Sequence, residues 1–197
     1  CYRALNKHEE SFFWTIQAAK YDEERIECLF ELIQHYLIND MSKIAYNYYR
    51  IFKPFYETKY LHSKMEDKLF IENEKYNLLL PYYMILVGDK CKGEYPEAGV
   101  TIARIYEIIF TKKFPSINMH YIGNMLFNLT LFIDLCMQHI PNFIPLFKEY
   151  ILFLEGIKYP FEKHDNFFQK FEKYGVTLSA KIIPTLPSTK FSLEQCK

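Results

Sequence analysis

Apolar residues recur at helical spacing along almost the whole chain, whereas the alternation typical of β-strands is scarce. In the stretch YDEERIECLFELIQHYLIND, for example, Ile26, Leu29, Leu32 and Ile33 fall on one face of a helix. Half of the 197 residues are hydrophobic, which is enough to fill the interior of one domain or of a short helical array. The spacing therefore predicts an all-α protein.

A first helical hairpin is predicted around a short polar turn. The helix described above has an acidic start and is expected to end at Asn39-Asp40. Ser42 can cap a second helix, which runs until Pro54 breaks it. The apolar residues of this second helix are Ile44, Ala45, Tyr48, Tyr49 and Phe52. The stretch 55–70, polar and weakly periodic, then predicts a long connection.

A second hairpin is predicted further along the chain. A helix over about 72–87, with a kink at Pro81, is followed by a turn and by a helix through about 98–109. The turn contains GEYPEA, in which Gly93 can supply the positive φ that ends the first helix. Pro96 suits the first turn of the next helix, where N–H groups lack partners anyway.

The C-terminal part predicts two more helices and an irregular end. The helices span about 117–137, capped by Ser116, and about 141–154, closed by Gly156. After them we expect one short helix that ends at Gly175, and then an extended tail from Lys181. We accordingly divide the chain into two parts. The helical array covers 1–155, and a C-terminal cap helix with its tail covers 156–197.

The two hairpins show signs of internal repetition. Taking Ala45 as the small residue of its helix, Tyr36 lies nine positions earlier and Tyr49 four positions later. These offsets match the tetratricopeptide (TPR) pattern, in which a small side chain lets two helices approach while aromatic rings fill the groove beside it. The run from Gly93 to Ala98 reads G-x-Y-x-x-A, the inter-helix turn of such a repeat. The pattern predicts stacked antiparallel hairpins, a TPR-like α-solenoid.

Four segments together resemble a more particular family. They read EERIECLFELIQHYLINDMSKIAYNYY, DKLFIENEKYNLLLPYYMIL, GEYPEAGVTIARIYEIIF and GNMLFNL. Over about residues 1–133 the chain resembles the TPR-like helical region that accompanies glycosyltransferase domains in giant DNA viruses and some bacteria. It departs from the pattern at Phe52, where a small residue is expected, and the Ala45-to-Ala98 spacing exceeds the ideal repeat of about 34 residues. Because the chain starts at Cys1 within a helical pattern, we expect it to be a segment of a longer polypeptide.

Motifs for bond chemistry do not occur in the sequence. Gly93 and Gly99 fit neither the P-loop nor the dinucleotide-binding pattern, and there is no HExxH, GxSxG or DxD motif. His164-Asp165 is the most site-like local cluster, yet a polar start to a short helix explains it as well. The sequence therefore predicts no catalytic residue, no metal site and no cofactor in this segment.

Charge and cysteine usage bear on the class of partner and on the cellular compartment. The chain has 24 basic and 24 acidic residues and no long basic run, which argues against nucleic-acid binding. Its five cysteines are far apart and odd in number, as expected for reduced thiols in a cytosol-like compartment. The most apolar stretch, 117–136, contains His120 and Asp134, which argues against a membrane span. We expect a cytoplasmic protein, in the host cytoplasm or the virus particle if it is viral.

A TPR-like array would present the first helix of each hairpin to its partner. On the alignment through Tyr36 and Ala45, the side chains of Glu27, Phe30 and Gln34 would face the partner, and these are the predicted partner-binding residues. The expected partner is a protein or peptide, such as a linked glycosyltransferase domain as the resemblance implies. Aromatic residues at helical spacing are more often core than contact surface.

The favoured hypothesis is a non-catalytic helical-repeat interaction module that belongs to, or associates with, a viral or bacterial glycosyltransferase. Two alternatives stay open. One is the helical part of an enzyme that modifies nucleotide sugars or glycans, and the other is a structural or assembly protein of a virus particle. A deep pocket with converging polar groups would favour the enzyme, and an open concave face the interaction module. A large apolar patch that pairs identical chains would favour the assembly protein.

Overall fold

The computed structural model describes residues 5–22, 25–54, 72–113, 119–161 and 170–176. These residues form helices and turns with no β-strand among them, which confirms the all-α prediction for the described part of the chain. A π-helical segment, Lys75–Leu79, leads directly into the fourth α-helix. The α-helices are α1 His8–Tyr21, α2 Ile26–Ile38, α3 Ser42–Pro54, α4 Leu80–Cys91, α5 Pro96–Lys112, α6 Met119–His139 and α7 Phe143–Gly156.

Helices that follow one another in the chain pack against each other. α1 packs on α2, α2 on α3, α3 on α4, α4 on α5 and α5 on α6. Contacts also join helices two places apart, namely α2 with α4 and α5 with α7. The buried apolar side chains form one hydrophobic core, which extends from Ala19 in α1 to Val176 near the end of the described residues.

The end of α2 lies where the sequence predicts it, at a left-handed turn. Asp40 has a φ of 58°. Its N–H group donates to the carbonyl of Leu37 at 3.1 Å, and the N–H group of Met41 donates to the carbonyl of Tyr36 at 2.8 Å. This pair of hydrogen bonds is the Schellman arrangement that commonly closes a helix. The turn joins α2 to α3, and the two helices pack against each other.

The end of α7 uses the same arrangement with a different residue from the one predicted. Gly156 is the last helical residue, and the left-handed position belongs to Lys158, with a φ of 58°. The N–H group of Tyr159 donates to the carbonyl of Leu154 at 3.0 Å. Further on, Gly175 has a φ of 70° and ends the short helical stretch as predicted. The predicted tail from Lys181 lies outside the described residues.

The prediction that Gly93 supplies a positive φ is wrong. Among the described glycines, Gly175 takes the left-handed conformation and Gly93 does not. The carbonyl of Cys91 accepts the N–H groups of both Glu94, at 3.0 Å, and Tyr95, at 2.9 Å, so the turn closes without a left-handed residue. The other half of the prediction is confirmed, because Pro96 occupies the first position of α5.

The predicted cap of α3 is also wrong. The Ser42 hydroxyl oxygen is buried and has no hydrogen-bond partner among the described residues. Ser42 is the first residue of the helix, whereas a capping side chain belongs to the residue before it. That residue is Met41, whose carbonyl accepts the N–H groups of Ile44 and Ala45 at 3.0 and 3.2 Å. The predicted cap at Ser116 and the predicted connection over 55–70 lie outside the described residues.

A π-helical turn lies just before Pro81, where the sequence predicts a kink. The N–H group of Leu80 bonds to the carbonyl of Lys75, five residues earlier, instead of the usual four. Pro81 has no N–H group, and its ring would crowd the carbonyl of Asn77 in a regular helix. A wider turn relieves this crowding.

Small residues bring α4 and α5 close together. Ala98 is completely buried, as predicted for the packing position of the second hairpin. A Cβ atom added to Gly88 would lie 2.7 Å from Cγ1 of Ile102, so Gly88 contributes to the same close approach. Ala45 in α3 is likewise completely buried. Both alanines are thus buried, as the sequence predicts for small side chains at helix contacts.

Replacing Ala98 by phenylalanine is predicted to destabilise the protein by overpacking. The free energy of unfolding measured in urea should fall by about 1–3 kcal/mol. Val100 on the same helix is 45% exposed and provides the matched control. Val100→Phe should change the free energy of unfolding by less than about 0.5 kcal/mol. Equal stability of the two variants would show that Ala98 is not a packing position.

Candidate functional site

The predicted partner-binding residue Glu27 lies at the junction between α2 and the segment that begins at Glu72. Its carboxylate accepts hydrogen bonds from the Tyr76 hydroxyl at 2.7 Å and from the Glu72 N–H group at 3.1 Å. The Tyr76 hydroxyl oxygen accepts the Ile26 N–H group at 3.1 Å. The side chain of Glu27 is only 12% exposed. The structure therefore uses this carboxylate to join two parts of the chain.

Phe30 and Gln34, the other two predicted partner-binding residues, lie against α4 and the π-helical segment. Phe30 is 3% exposed, and its ring meets that of Tyr83 edge-on with 5.3 Å between the centroids. The Nζ atom of Lys75 lies 5.6 Å from the centre of the Phe30 ring. The Gln34 amide donates a hydrogen bond to the Tyr83 hydroxyl at 3.0 Å. All three residues thus have internal contacts, and their role toward a partner stays a prediction.

Burial and hydrogen bonding set the protonation of this junction. Burial alone would raise the pKa of Glu27, but the hydrogen bonds from Tyr76 and from backbone N–H groups outweigh it and lower the pKa below its ordinary value of 4.5. Burial, and then the hydrogen bond to Glu27, raise the pKa of Tyr76 above its ordinary value of 10. At neutral pH the junction therefore pairs an ionised carboxylate with a protonated hydroxyl.

A second surface is an apolar groove between α1 and α3, called here the α1–α3 groove. It encloses about 360 Å³. Ile44, Tyr48 and Ile51 form one wall at a spacing of four and then three residues, so they lie in a row along α3. Ile44 is 41% and Ile51 is 63% exposed. The lining residues are Ile16, Ala19, Lys20, Ile44, Asn47, Tyr48 and Ile51.

A second hollow of about 490 Å³, called here the α3 recess, shares Ile44 with the α1–α3 groove. It lies at the start of α3 and is lined by Asp40, Met41, Ser42, Lys43, Ile44 and Lys90. The Lys90 ammonium lies 2.6 Å from the Asp40 carboxylate, and the Lys43 ammonium lies 2.7 Å from the carboxylate of Glu94. The hydrogen bond from Lys90 lowers the pKa of Asp40. Ile44 therefore lines both the groove and the recess.

The remaining candidates for chemistry are the described thiols and acidic groups. Burial raises the pKa of Cys28, Cys91 and Cys136, which keeps these thiols protonated and weakly nucleophilic. Within the described ranges no three His, Cys, Asp or Glu side chains come together as a possible metal-binding group. No helix in those ranges is both long and apolar enough to cross a membrane. The cluster His164-Asp165 lies outside the described residues.

Sequence reasoning did not identify the α1–α3 groove. The signal was present in α3, because its apolar residues form two rows. Ala45 and Tyr49 point to the core, whereas Ile44 and Ile51 stay partly or largely exposed.

No family model, curated protein or solved structure matches the chain. The surfaces described above are therefore the basis for a functional proposal.

Glu27→Gln is predicted to flatten the dependence of stability on pH. In the wild-type protein the contribution of Glu27 is present above its ordinary pKa and is lost as the pH falls through the lowered folded-state value. Urea midpoints of the wild type should therefore fall more steeply than those of the variant between about pH 5 and pH 3. Near pH 7 the variant should be less stable by about 1 kcal/mol, because a neutral amide replaces the charged acceptor.

The exposed Glu10 on α1 provides the control for this measurement. Glu10→Gln removes the same ionisable group without touching the junction, so its midpoints should follow those of the wild type at each pH. If Glu27→Gln and Glu10→Gln gave the same pH profile, the junction would contribute nothing specific to stability.

Proposed function

We propose that this chain is a non-catalytic helical interaction module that binds an amphipathic helix of a partner protein in the α1–α3 groove. The observation that carries the proposal is the apolar row on α3, where Ile44 and Ile51 keep 41% and 63% of their surface exposed. They lie beside Ile16 of α1 in a groove with mostly apolar walls. Exposed apolar side chains that line one groove support an interaction site there.

The geometry of the groove favours a helix as its ligand. Both walls are helices, and the row from Ile44 to Ile51 extends about 10 Å along α3, which matches two turns of a partner helix. A helix laid there would insert one ridge of side chains between α1 and α3. Its contacts would come from apolar residues at positions i, i+3 or i+4, and i+7.

We also propose that the helices form antiparallel hairpins stacked as a TPR-like α-solenoid. The turns 39–41 and 92–95 support this arrangement, because such short turns between packed helices favour antiparallel neighbours. The contacts of α2 with α4 and of α5 with α7 support it further, since they join corresponding helices of successive hairpins. In this arrangement α1 and α3 are corresponding helices too, and the groove lies between them.

The resemblance over residues 1–133 adds a partner class to the proposal, namely a glycosyltransferase domain on the same or another polypeptide. Its support is the sequence resemblance alone. The complete reading frame that encodes this chain tests the linked form. A nucleotide-sugar-binding domain with a DxD motif on the same polypeptide would support it, and a reading frame without such a domain would remove it.

Binding of amphipathic helices is predicted to depend on the α1–α3 groove. The test uses a displayed library of peptides of about 14 residues, roughly four helical turns, selected on the immobilised chain. Each selected peptide is then measured by fluorescence anisotropy against Ile44→Glu and Ile51→Glu. We expect each variant to weaken binding at least about tenfold, because the glutamate places a charge against the apolar face of the ligand.

Leu131 on α6 is 65% exposed and serves as the matched control. Leu131→Glu makes the same chemical change away from the groove and should leave the affinity unchanged. Circular dichroism of all three variants verifies that the helices persist. The proposal fails if no helical peptide is selected, or if the selected peptides bind Ile44→Glu and Ile51→Glu as tightly as the wild type.

A further inference from the structure

We infer that the helix in the α1–α3 groove is α1 of a second copy of this chain, and that two copies bind reciprocally, each placing its α1 in the groove of the other. The inference rests on the proposed function, because it names the helix that occupies the same groove. It starts from three aromatic side chains, called here the outer face of α1. They are Phe13, Trp14 and Tyr21, which are 53%, 53% and 94% exposed.

Helical geometry places the outer face of α1 away from α2. At about 100° per residue, Phe13, Trp14 and Tyr21 fall within one arc of about 100° around the helix. Phe12 lies on the opposite side, where its ring meets that of Tyr36 in α2 with 5.6 Å between the centroids. α1 therefore packs on α2 with one side and presents aromatic surface on the other.

The outer face of α1 has the spacing that the groove requires of its ligand. Trp14 and Tyr21 are seven positions apart, which are the i and i+7 places of a helix that binds through one side. The distance from Phe13 to Tyr21 is about 12 Å along the helix, and the row from Ile44 to Ile51 extends about 10 Å. The outer face can therefore cover the apolar row of α3 along its whole length.

The area of the contact favours a reciprocal pair of copies. A whole aromatic side chain buries about 150–250 Å². The exposed parts of the outer face correspond to about two whole side chains, so covering them buries roughly 300–500 Å² on α1 and a similar area on the groove. One such contact stays below the roughly 1,200 Å² of a stable, specific interface. Two symmetric contacts reach roughly 1,200–2,000 Å², which is the standard size.

α1 carries both surfaces that a reciprocal pair needs. Ile16 and Ala19 of α1 line the groove, and the outer face lies on the same helix. When α1 of one copy enters the groove of the second copy, the α1 of that second copy lies beside the groove of the first. The same patch is then used twice, and the assembly closes at two chains.

The charges beside the two surfaces are opposite in sign. The first turn of α1 carries two acidic residues, Glu9 and Glu10. Every charged residue of α3 is basic, and these residues are Lys43, Arg50 and Lys53. Lys43 and Arg50 have acidic neighbours in their own chain, yet their side chains remain 62% and 52% exposed. Charges of this kind at the rim of an interface favour the encounter of two copies more than they add affinity.

Sedimentation velocity of the full chain tests the inference. Between about 1 and 100 μM the wild type should pass from the mass of one chain to that of two, because interfaces of this size bind in the micromolar range or more tightly. Trp14→Glu places a charge on the outer face, and Ile51→Glu places one in the groove. Each variant should weaken the dimer at least about tenfold. Leu131→Glu on α6 is the matched control and should dimerise like the wild type, and circular dichroism verifies that the helices persist.

A mixture of the two variants tests whether the contact is reciprocal. Trp14→Glu keeps an intact groove and Ile51→Glu keeps an intact outer face, so a pair with one copy of each retains one of the two contacts. A second charge in a contact that is already broken adds little further loss. The mixture should therefore associate at least about threefold more tightly than either variant alone.

The fluorescence of Trp14 provides a second readout, because it is the one tryptophan in the sequence. Its emission should shift to shorter wavelength as the wild type dimerises, since the indole moves from water into an apolar groove. Ile51→Glu retains this tryptophan, and its emission should not shift over the same range of concentration.

A wild type that stays monomeric throughout this range would overturn the inference, and so would a dimer that neither variant weakens. A dimer that depends on Ile51 but not on Trp14 would overturn it too, because something other than the outer face of α1 would then fill the groove. A mixture that associates no better than its components would exclude reciprocal binding. The proposed function would survive each of these results if the selected peptides still lost affinity in Ile51→Glu. Peptides that bind without any dependence on Ile44 and Ile51 would remove the proposed function itself.

Discussion

The packing of amphipathic helices onto their neighbours is the constraint on which the rest of this structure depends. Helices of 13 to 17 residues, such as α2 and α5, are marginal on their own in water and are stabilised by burying an apolar face. The close approach at Gly88 and Ala98 brings α4 and α5 near enough for this burial to be complete. Because neighbours in sequence supply most of the cover, short turns such as 39–41 and 92–95 suffice to position the helices.

One helix has more apolar surface than its neighbours cover. α3 buries Ala45 and Tyr49 in the core, yet it carries a second apolar row that includes Ile44 and Ile51. Complete burial of an isoleucine side chain contributes about 1.5–3 kcal/mol, so this row keeps a sizeable part of its hydrophobic free energy for a ligand. α1 lies on only one side of this row, so the space between α1 and α3 is an open groove and not a closed core.

Local signals explain which parts of the fold the sequence predicts well. The helix order, the start at Pro96 and the end at Asn39-Asp40 follow from residues close together in the chain. Ser42 and Gly93 were misassigned because a cap or a left-handed turn depends on the exact register of the helix end, and a shift of one residue changes the role of each side chain.

The candidate site was less predictable than the fold, because helical periodicity identifies a face but not the element that covers it. Glu27, Phe30 and Gln34 do share one side of α2, and that side meets the residues that follow Glu72. The exposed row of α3 has the same periodicity as a buried row. Only the positions of α1 and α2 around α3 show that the row with Ala45 and Tyr49 is covered and that the row with Ile44 and Ile51 is not.

α2 makes two kinds of contact, hydrogen bonds on one side and aromatic packing on the other. The difference bears on ligand binding in the α1–α3 groove. On one side, the Tyr76 hydroxyl donates a hydrogen bond to Glu27 and accepts one from the Ile26 N–H group, and these bonds hold α2 to the segment that begins at Glu72. On the other, Tyr36 of α2 packs edge-on against Phe12 of α1 and stacks on Tyr48 of α3, with centroid distances of 5.6 and 5.5 Å. One aromatic side chain thus contacts both helices that form the groove. Since the walls are already positioned, a ligand would spend little of its binding free energy on rearranging the protein.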